Sequence, residues 1–136
     1  MKKGIALSEM LMTIAVIAVI TAVGLVVYRT VLFSLSLNNE AELLHHYIKK
    51  AQTTAEVYGR TIKWEVREDK YVIVDEEDDI VLREKIIPGH INIEQTTSVV
   101  FREQIRPEQG RTIILRSGNN QRKITIDPST GRVRLW

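Results

Sequence analysis

A long apolar segment close to the N-terminus constrains the fold of this chain more than any other feature. The segment from Ile5 to Tyr28 has 24 residues, and Glu9 is the only charged residue in it. As a helix it reaches about 36 Å, enough to cross a bilayer core of about 30 Å. We therefore predict one membrane-spanning helix over residues 5–28. Because Lys2 and Lys3 precede it, the N-terminus is predicted to stay in the cytoplasm, with the rest of the chain outside the cytoplasmic membrane.

The position of a small residue distinguishes this segment from an ordinary secretory signal. Such a signal is cut after its apolar core, at a site of small residues, and the core is discarded. Here no site of that kind follows the core, and Gly4 stands before it. A cut after Gly4 would remove only a charged leader, residues 1–4, and leave the whole helix on the mature protein.

The carboxylate inside the apolar segment needs a partner. Inserting a carboxylate deep into a bilayer costs about 2.5–3.5 kcal/mol of free energy. An ionisable residue in that position therefore suggests a functional role. A cut after Gly4 would give Ile5 a free α-amine, four residues before Glu9. In neighbouring helices staggered by a few residues, this amine and Glu9 could pair between chains, so we predict a role for Glu9 in assembly.

These residues resemble the class III signal of type IV pilins and type II secretion pseudopilins. The resemblance rests on Gly4, Ile5, Glu9 and the apolar run that follows. It implies that a prepilin peptidase cuts after Gly4 and methylates the Ile5 amine. Two departures are present: Ile5 stands where the family usually has phenylalanine, and no proline occurs near Val26. A plain signal anchor that tethers an unrelated domain is the alternative.

Composition limits the rest of the chain to one domain. It has 136 residues, a formal net charge of +2 and no cysteine, which excludes a disulfide framework and thiol chemistry. We predict a leader over residues 1–4, a long helix over residues 5–58 and a β-rich globular domain over residues 59–136. Residues 5–28 of the helix would lie in the membrane or in a filament core.

The helix is predicted to continue beyond the membrane as far as Tyr58. An apolar stripe with helical spacing supports this, and it comprises Leu44, Tyr47, Ile48, Ala51, Ala55 and Tyr58. Gly59 is a natural C-cap. Asparagine is a poor helix former, so two helices broken at Asn38 are the alternative.

From Arg60 onward the hydrophobic period changes to two, which predicts strands. The candidate strands are 60–67, 71–74, 80–82, 91–93, 99–101, 112–116, 123–126 and 132–136. Turn sequences at 117–120 and 127–131 predict that the last three strands form an antiparallel meander. A long helix packed on an antiparallel sheet is an α+β architecture.

The sequence gives no indication of an enzyme. His45 and His46 are adjacent on the helix, so they cannot face one ligand, and we predict that both face solvent. The acidic run 75–79 lacks the spacing and glycine of a calcium loop and is interpreted as a hairpin tip. We predict no catalytic residues, no metal site and no cofactor.

Charge is separated along the domain. Residues 65–79 carry a net charge of −6, from eight acids and two bases, whereas residues 102–134 carry +5, from eight bases and three acids. A basic face can meet a polyanion. Arg132 and Arg134 project from one strand face, and with Arg122 and Lys123 they are the candidate DNA-binding residues. Pairing of these bases with the acidic hairpin of the same or the next subunit is the alternative.

The globular part resembles a narrower group, the minor pseudopilins that include the H component of type II secretion and its pilus counterpart. This resemblance rests on the strand that opens after Gly59, the β-rich body and the terminal segment 131–134. It implies a structural subunit that helps to initiate or cap a type IV pilus or type II secretion pseudopilus. Its partners would be other pilins and the prepilin peptidase. The alternative is a tip subunit of a DNA-uptake pilus, which would also bind DNA.

Overall fold

The first element is one uninterrupted helix. The computed structural model describes residues 2–95, 98–102 and 110–136, and the side chains among them from Ala6 onward. Helix α1 spans Lys2–Tyr58, 57 residues. It contains no proline, the residue that most often breaks a helix, and it runs through Asn38 without interruption. The prediction of one long helix is therefore confirmed, and the alternative with a break at Asn38 is wrong.

The helix ends in a glycine cap. Gly59 has φ 62°, the left-handed conformation that glycine adopts without a steric penalty. The backbone N–H of Arg60 donates to the carbonyl of Ala55 at 3.2 Å, the bond that closes a Schellman motif. The cap predicted at Gly59 is confirmed, and it directs the chain from the helix into the first strand.

The chain divides into two compact units, Met1–Ser34 and Leu35–Trp136. In the first unit every described side chain from Ala6 to Phe33 is exposed. The second unit holds the rest of α1 together with the strands, and it has its own core.

Within the described residues, eight strands form two four-stranded antiparallel sheets. They are β1 Ile62–Arg67, β2 Lys70–Asp75, β3 Ile80–Ile86, β4 Asn92–Gln95, β5 Ser98–Phe101, β6 Arg111–Ser117, β7 Asn120–Ile126 and β8 Val133–Leu135. The first sheet has the order β3-β2-β1-β5 and the second the order β4-β6-β7-β8. The predicted meander of the last three strands is confirmed. The division into two sheets was not predicted, and β3 extends beyond Leu82 to Ile86.

The core lies between the second half of α1 and both sheets. The buried helical residues recur at intervals of three and four, as a helix face against a sheet requires, and they are Leu37, Ala41, Leu44, Ile48, Ala51 and Ala55. They meet inward-facing residues of the first sheet, such as Trp64, and of the second, such as Leu115. Tyr47 is partly buried, but the prediction that Tyr58 belongs to this stripe is wrong. Tyr58 lies in the last turn of α1, and its ring lines an open groove.

A buried carboxylate also joins α1 to the first sheet. Glu40 is 5% exposed and lies on the same helix face as Leu37 and Ala41. Its Oε1 accepts a hydrogen bond from Tyr71 Oη at 3.2 Å, and its Oε2 accepts one from Lys85 Nζ at 2.7 Å. Burial, together with the Glu40 charge, raises the pKa of the Tyr71 hydroxyl, so this hydroxyl remains protonated and donates.

Polar side chains of α1 cover the outer edge of β8. His45 Nε2 lies 3.2 Å from the carbonyl oxygen of Val133, and Gln52 Nε2 donates to the carbonyl of Gly131 at 3.0 Å. The prediction that His45 faces solvent is therefore wrong. One position beyond the buried Leu44, His45 is on the flank of the helix that reaches β8. His46 is exposed, as predicted.

Candidate functional site

The exposed half of α1 is the largest apolar surface of the described chain. An 18-residue window in this helix has a mean hydropathy of 2.8, and none of that window is buried within the chain. Thirteen Leu, Ile, Val and Met side chains between Ala6 and Val27 are exposed to solvent. A surface of this size is normally covered by lipid or by other protein. Its length and composition allow it to cross a membrane.

The hydroxyls in this segment are compatible with an apolar environment. Thr13, Thr21 and Thr30 each donate to the backbone carbonyl four residues earlier, at 2.8, 2.8 and 3.0 Å. An unsatisfied hydroxyl in hydrocarbon costs several kcal/mol, on the order of 4–8 by transfer to cyclohexane. Because these three are satisfied within the helix, they do not oppose its burial.

Glu9 is an isolated charge on this surface. It is the only charged residue between Ala6 and Tyr28, and its side chain is exposed. Within the part of the chain that is described, Glu9 takes part in no ion pair. Gly4 and Ile5 belong to the backbone of α1, but the Ile5 side chain lies outside the described part of the chain. Cleavage after Gly4, methylation of Ile5 and the pairing of Glu9 thus stay predictions.

The second candidate is a groove at the end of the second sheet. The groove has a volume of ≈ 430 Å³ and brings three arginines and an aromatic ring together, namely Arg111, Arg132, Arg134 and Trp136. The Trp136 ring is 65% exposed. Arg132 and Arg134 are exposed on either side of the buried Val133, as the two-residue period predicted. Arg111 was not singled out from the sequence, and its place follows from the pairing of β6 with β7.

A hydrogen-bonded turn positions the arginines. Asp127 Oδ1 accepts hydrogen bonds from the Ser129 N–H at 2.8 Å, the Ser129 hydroxyl at 2.6 Å and the Thr130 N–H at 3.3 Å. These bonds stabilise the carboxylate and lower the pKa of Asp127 to about 2. The turn closes at Gly131, which has φ 68° and donates its N–H to the Asp127 carbonyl at 2.8 Å. The backbone carbonyl of Arg132 then accepts from the Asp127 N–H at 3.0 Å.

Packing behind the turn leaves no room for a side chain at Gly110. A Cβ atom there would lie 2.8 Å from Pro128 Cδ, closer than real contacts allow. Glycine therefore permits the chain that enters β6 to pass against this turn.

The four candidate DNA-binding residues do not form one cluster. Lys123 is exposed and pairs through its backbone with Trp136, so it lies on the same sheet face as Arg134. Arg122 is half-buried and turned to the helix, where its Nε donates to Asn38 Oδ1 at 2.7 Å. Among the described residues, Arg132 and Arg134 have no acidic partner.

The acidic run is a hairpin tip, as predicted. Residues 76–79 form the turn between β2 and β3, and Asp75 is buried at the end of β2. Arg60 Nη1 donates to Asp75 Oδ2 at 2.8 Å and to Asp78 Oδ2 at 2.5 Å. The bond from Arg60 lowers the pKa of Asp75. In this part of the described chain the tip is thus bound by Arg60, not by the arginines of the groove. No group of His, Cys, Asp or Glu able to hold a metal occurs among the described residues.

Comparison with known proteins adds information on the fold. By sequence, no family model and no curated protein matches the chain. Two crystal structures of the type IV minor pilin FimU from Pseudomonas aeruginosa superpose with TM-scores of 0.65 and 0.63, each at 16% identity. Both alignments cover 74% of this chain, with 87% and 92% of the FimU chains. The minor pseudopilin EpsH from the type 2 secretion system of Vibrio cholerae superposes with a TM-score of 0.62 at 9% identity, covering 74% of this chain and 96% of EpsH.

The chain has a pilin-like fold. The predicted α+β architecture, a long N-terminal helix packed on antiparallel β-sheet, is confirmed. Within the unit Leu35–Trp136, side chains of α1 contact the sheet that holds the basic groove.

Proposed function

We propose that this protein is a minor pilin or pseudopilin, a structural subunit that helps to initiate or cap a type IV pilus or a type II secretion pseudopilus. One observation carries the proposal: a pilin-like unit is continuous with a helical segment, residues 6–33, whose described side chains are all exposed. In this role the apolar segment holds the subunit in the cytoplasmic membrane before assembly and packs among other subunits afterwards. The proposed function requires no catalytic residue and no cofactor.

Magnitudes support a membrane-inserted starting state. Burial of each large apolar side chain contributes about 1.5–3 kcal/mol, so thirteen of them contribute at least roughly 20 kcal/mol. The carboxylate of Glu9 opposes insertion by only about 2.5–3.5 kcal/mol. Insertion is therefore favourable with Glu9 present, and Glu9 is free to serve a later step.

In that later step Glu9 binds the N-terminal amine of a neighbouring subunit. The prepilin peptidase cuts after Gly4, and the new amine at Ile5 is methylated. With the N-terminus on the cytoplasmic side, the pilin-like unit lies outside the membrane. Pairing between subunits neutralises both charges only in the assembled filament. A subunit therefore leaves the membrane only when it joins the filament.

A gene deletion in the producing organism tests this function. We expect loss of a filament-dependent activity, either secretion or twitching, with normal growth. A plasmid copy of the wild-type gene should restore it, and a copy without residues 6–28 should not. Unchanged secretion, twitching and transformation in the deletion strain would contradict the proposal.

DNA binding at the tip of an uptake pilus is a second candidate, and the basic groove favours it. Arg132 directly precedes β8 and Arg134 is its middle residue; at the spacing of an extended chain, their side chains lie about 6–7 Å from each other. The exposed Trp136 ring beside them can stack on one base. Binding of this kind is dominated by phosphate contacts, independent of sequence and steeply weakened by salt.

A gel-shift titration distinguishes this candidate from the purely structural one. The full chain in detergent is titrated with duplex DNA at low and moderate salt, beside Arg132→Ala/Arg134→Ala. Lys49→Ala/Lys50→Ala is the matched control, because both lysines are exposed on α1 and the same charge is removed. We expect a loss of about tenfold or more for the arginine variant only. If both variants lose binding equally, or the wild type does not bind, the groove is not a DNA site.

A further inference from the structure

The strand β3 has an unpaired outer edge. It is the first strand of the first sheet, where it pairs only with β2. Among the described residues, none outside β2 bonds to the backbone of Ile80–Ile86. The first half of the strand is also apolar and exposed, at Ile80, Val81 and Leu82. An edge of this kind is a template for another strand.

The edge strand β8 of the second sheet differs from β3. The edge of β8 is covered by α1, where His45 and Gln52 bond to carbonyls of Val133 and Gly131. The same helix leaves the edge of β3 uncovered. The charged second half of β3 is partly neutralised within the chain, because Lys85 is bound by Glu40 and Glu84 by Lys70. The first half, residues 80–82, is exposed and apolar, with no charged side chain of its own.

A groove borders this half of β3 on its helix side. It has a volume of ≈ 390 Å³ and is lined by Thr54 and Tyr58 at the end of α1, by Ile62 and Leu82, and by the Arg60–Asp75 ion pair. Tyr58 is 71% exposed. An apolar side chain from a strand paired with residues 80–82 fits this groove, because alternate residues of a strand point to one face.

The tip beside residues 80–82 is acidic and incompletely neutralised. Arg60 binds Asp75 and Asp78. Glu76, Glu77 and Asp79 form no ion pair with any described residue. A segment that lies along β3 would pass next to these three carboxylates, which favour lysine or arginine in the segment.

We propose that residues 80–82 and the adjoining groove receive an extended segment of another subunit, one that carries alternating apolar and basic side chains. The segment adds a strand to the first sheet, places an apolar side chain against Tyr58 and Leu82, and sets its bases beside the acidic tip. Its identity as a filament subunit rests on the proposed function. A second copy of this chain is the poorer occupant, since the outer edge of its own basic strand β8 is covered.

Peptide binding tests the surface independently of filament assembly. The probe is an acetylated, amidated peptide of alternating valine and lysine, added to the isotope-labelled full chain in detergent. We expect slowed amide exchange and NMR shifts at Ile80–Leu82 and around Tyr58. A peptide with N-methylated backbone amides and one with glutamate in place of lysine should each bind about tenfold or more weakly.

Matched variants make the test specific. Leu82 is 43% exposed and Leu43, on the outer face of α1, is 40% exposed, so both tolerate a charge without loss of folding. We expect Leu82→Lys to abolish peptide binding and Leu43→Lys to retain it. Shifts confined to other surfaces, equal binding of the N-methylated peptide, or self-association through β3 would each overturn the proposal. Those results would leave the filament role intact, and loss of the filament role would leave the peptide binding intact.

Discussion

At the scale of single residues, replacing Glu9 tests membrane insertion and the proposed assembly step separately. It stands alone among exposed apolar side chains, so replacing it removes a cost of insertion and, in the proposed role, the partner of a neighbouring amine. We expect Glu9→Ala to insert in the membrane at least as well as the wild type and to enter filaments several-fold less. Membrane fractionation measures the first quantity and immunoblots of sheared filaments measure the second.

The control for this experiment is Glu42→Ala, which removes an exposed carboxylate from the same helix outside the apolar segment. It should change neither quantity. Normal filament entry of Glu9→Ala would remove the support for pairing between subunits.

The Asp127 carboxylate predicts how the stability of the fold depends on pH. Its hydrogen bonds lower the folded pKa to about 2, below the ordinary value of 3.8. Because the charged form is favoured in the folded state, its stabilising effect is fully present above pH 3.8 and is lost as the pH falls through about 2. We expect Asp127→Asn to lower the melting temperature at pH 7, with a difference that shrinks towards pH 2. Circular dichroism of the full chain in detergent measures it.

Glu77→Gln is the comparison for the pH effect, since Glu77 is an exposed carboxylate in no ion pair with a described residue. It should have little effect at any pH. A difference for Asp127→Asn that stays constant from pH 7 to pH 2 would show that the Asp127 charge does not stabilise the turn.

At the scale of elements, Glu40 on α1 binds two side chains of the first sheet. Its replacement by alanine leaves the Tyr71 hydroxyl and the Lys85 ammonium without their buried acceptor. We expect Glu40→Ala to lower the free energy of unfolding by about 1–3 kcal/mol, and Glu42→Ala, two residues on and exposed, by less than about 0.5 kcal/mol. Urea unfolding followed by tryptophan fluorescence compares them. Equal effects would mean that the buried bonds contribute nothing.

The elements were largely predictable because their signals are local. Helical spacing at Leu44, Ile48, Ala51 and Ala55 marks the buried face of α1, and two-residue alternation marks β1. A glycine at position 59 marks the helix end, because glycine adopts the φ of 62° found there without strain. These features depend on a few neighbouring residues, so the sequence alone contains them.

Partners across the chain were not predictable in this way. Which strands pair, and hence the division into two sheets, depends on contacts between distant segments. The burial of Glu40 depends on Lys85, 45 residues later. A carboxylate three residues after Leu37 and four before Leu44, within an apolar stripe, is the sequence signal that could have identified it. The solvent exposure of His45 was predicted wrongly for the same reason, because its partner, the Val133 carbonyl, is in the distant strand β8.

The candidate sites show the same limit. Arg132 and Arg134 were predicted to share a strand face. In the structure Arg132 directly precedes β8, and both arginines are exposed on either side of the buried Val133 and line one groove. Arg111 lies in the same groove only because β6 pairs with β7. Arg122 lies apart from the groove and donates a hydrogen bond to Asn38 on α1. The net charge of residues 102–134 includes all of these bases, but the fold places them on different surfaces.

At the scale of the whole molecule, the chain consists of two units with different surfaces. The unit Leu35–Trp136 buries its own core, while the described side chains of residues 6–33 are exposed. Such a chain is incomplete until lipid or other subunits cover that segment. In the proposed function, lipid covers this segment first and other filament subunits cover it afterwards.

Intact mass spectrometry of the protein isolated from its native membrane is the sharpest test of the proposed pilin-type subunit. Gly4 has no side chain and can enter a protease cleft at the membrane face, with Lys2 and Lys3 held outside. We expect a mature chain that begins at Ile5 and carries one added methyl group, and a Gly4→Val variant that keeps residues 1–4. A mature wild-type chain that begins at Met1, unmethylated, would contradict that proposal.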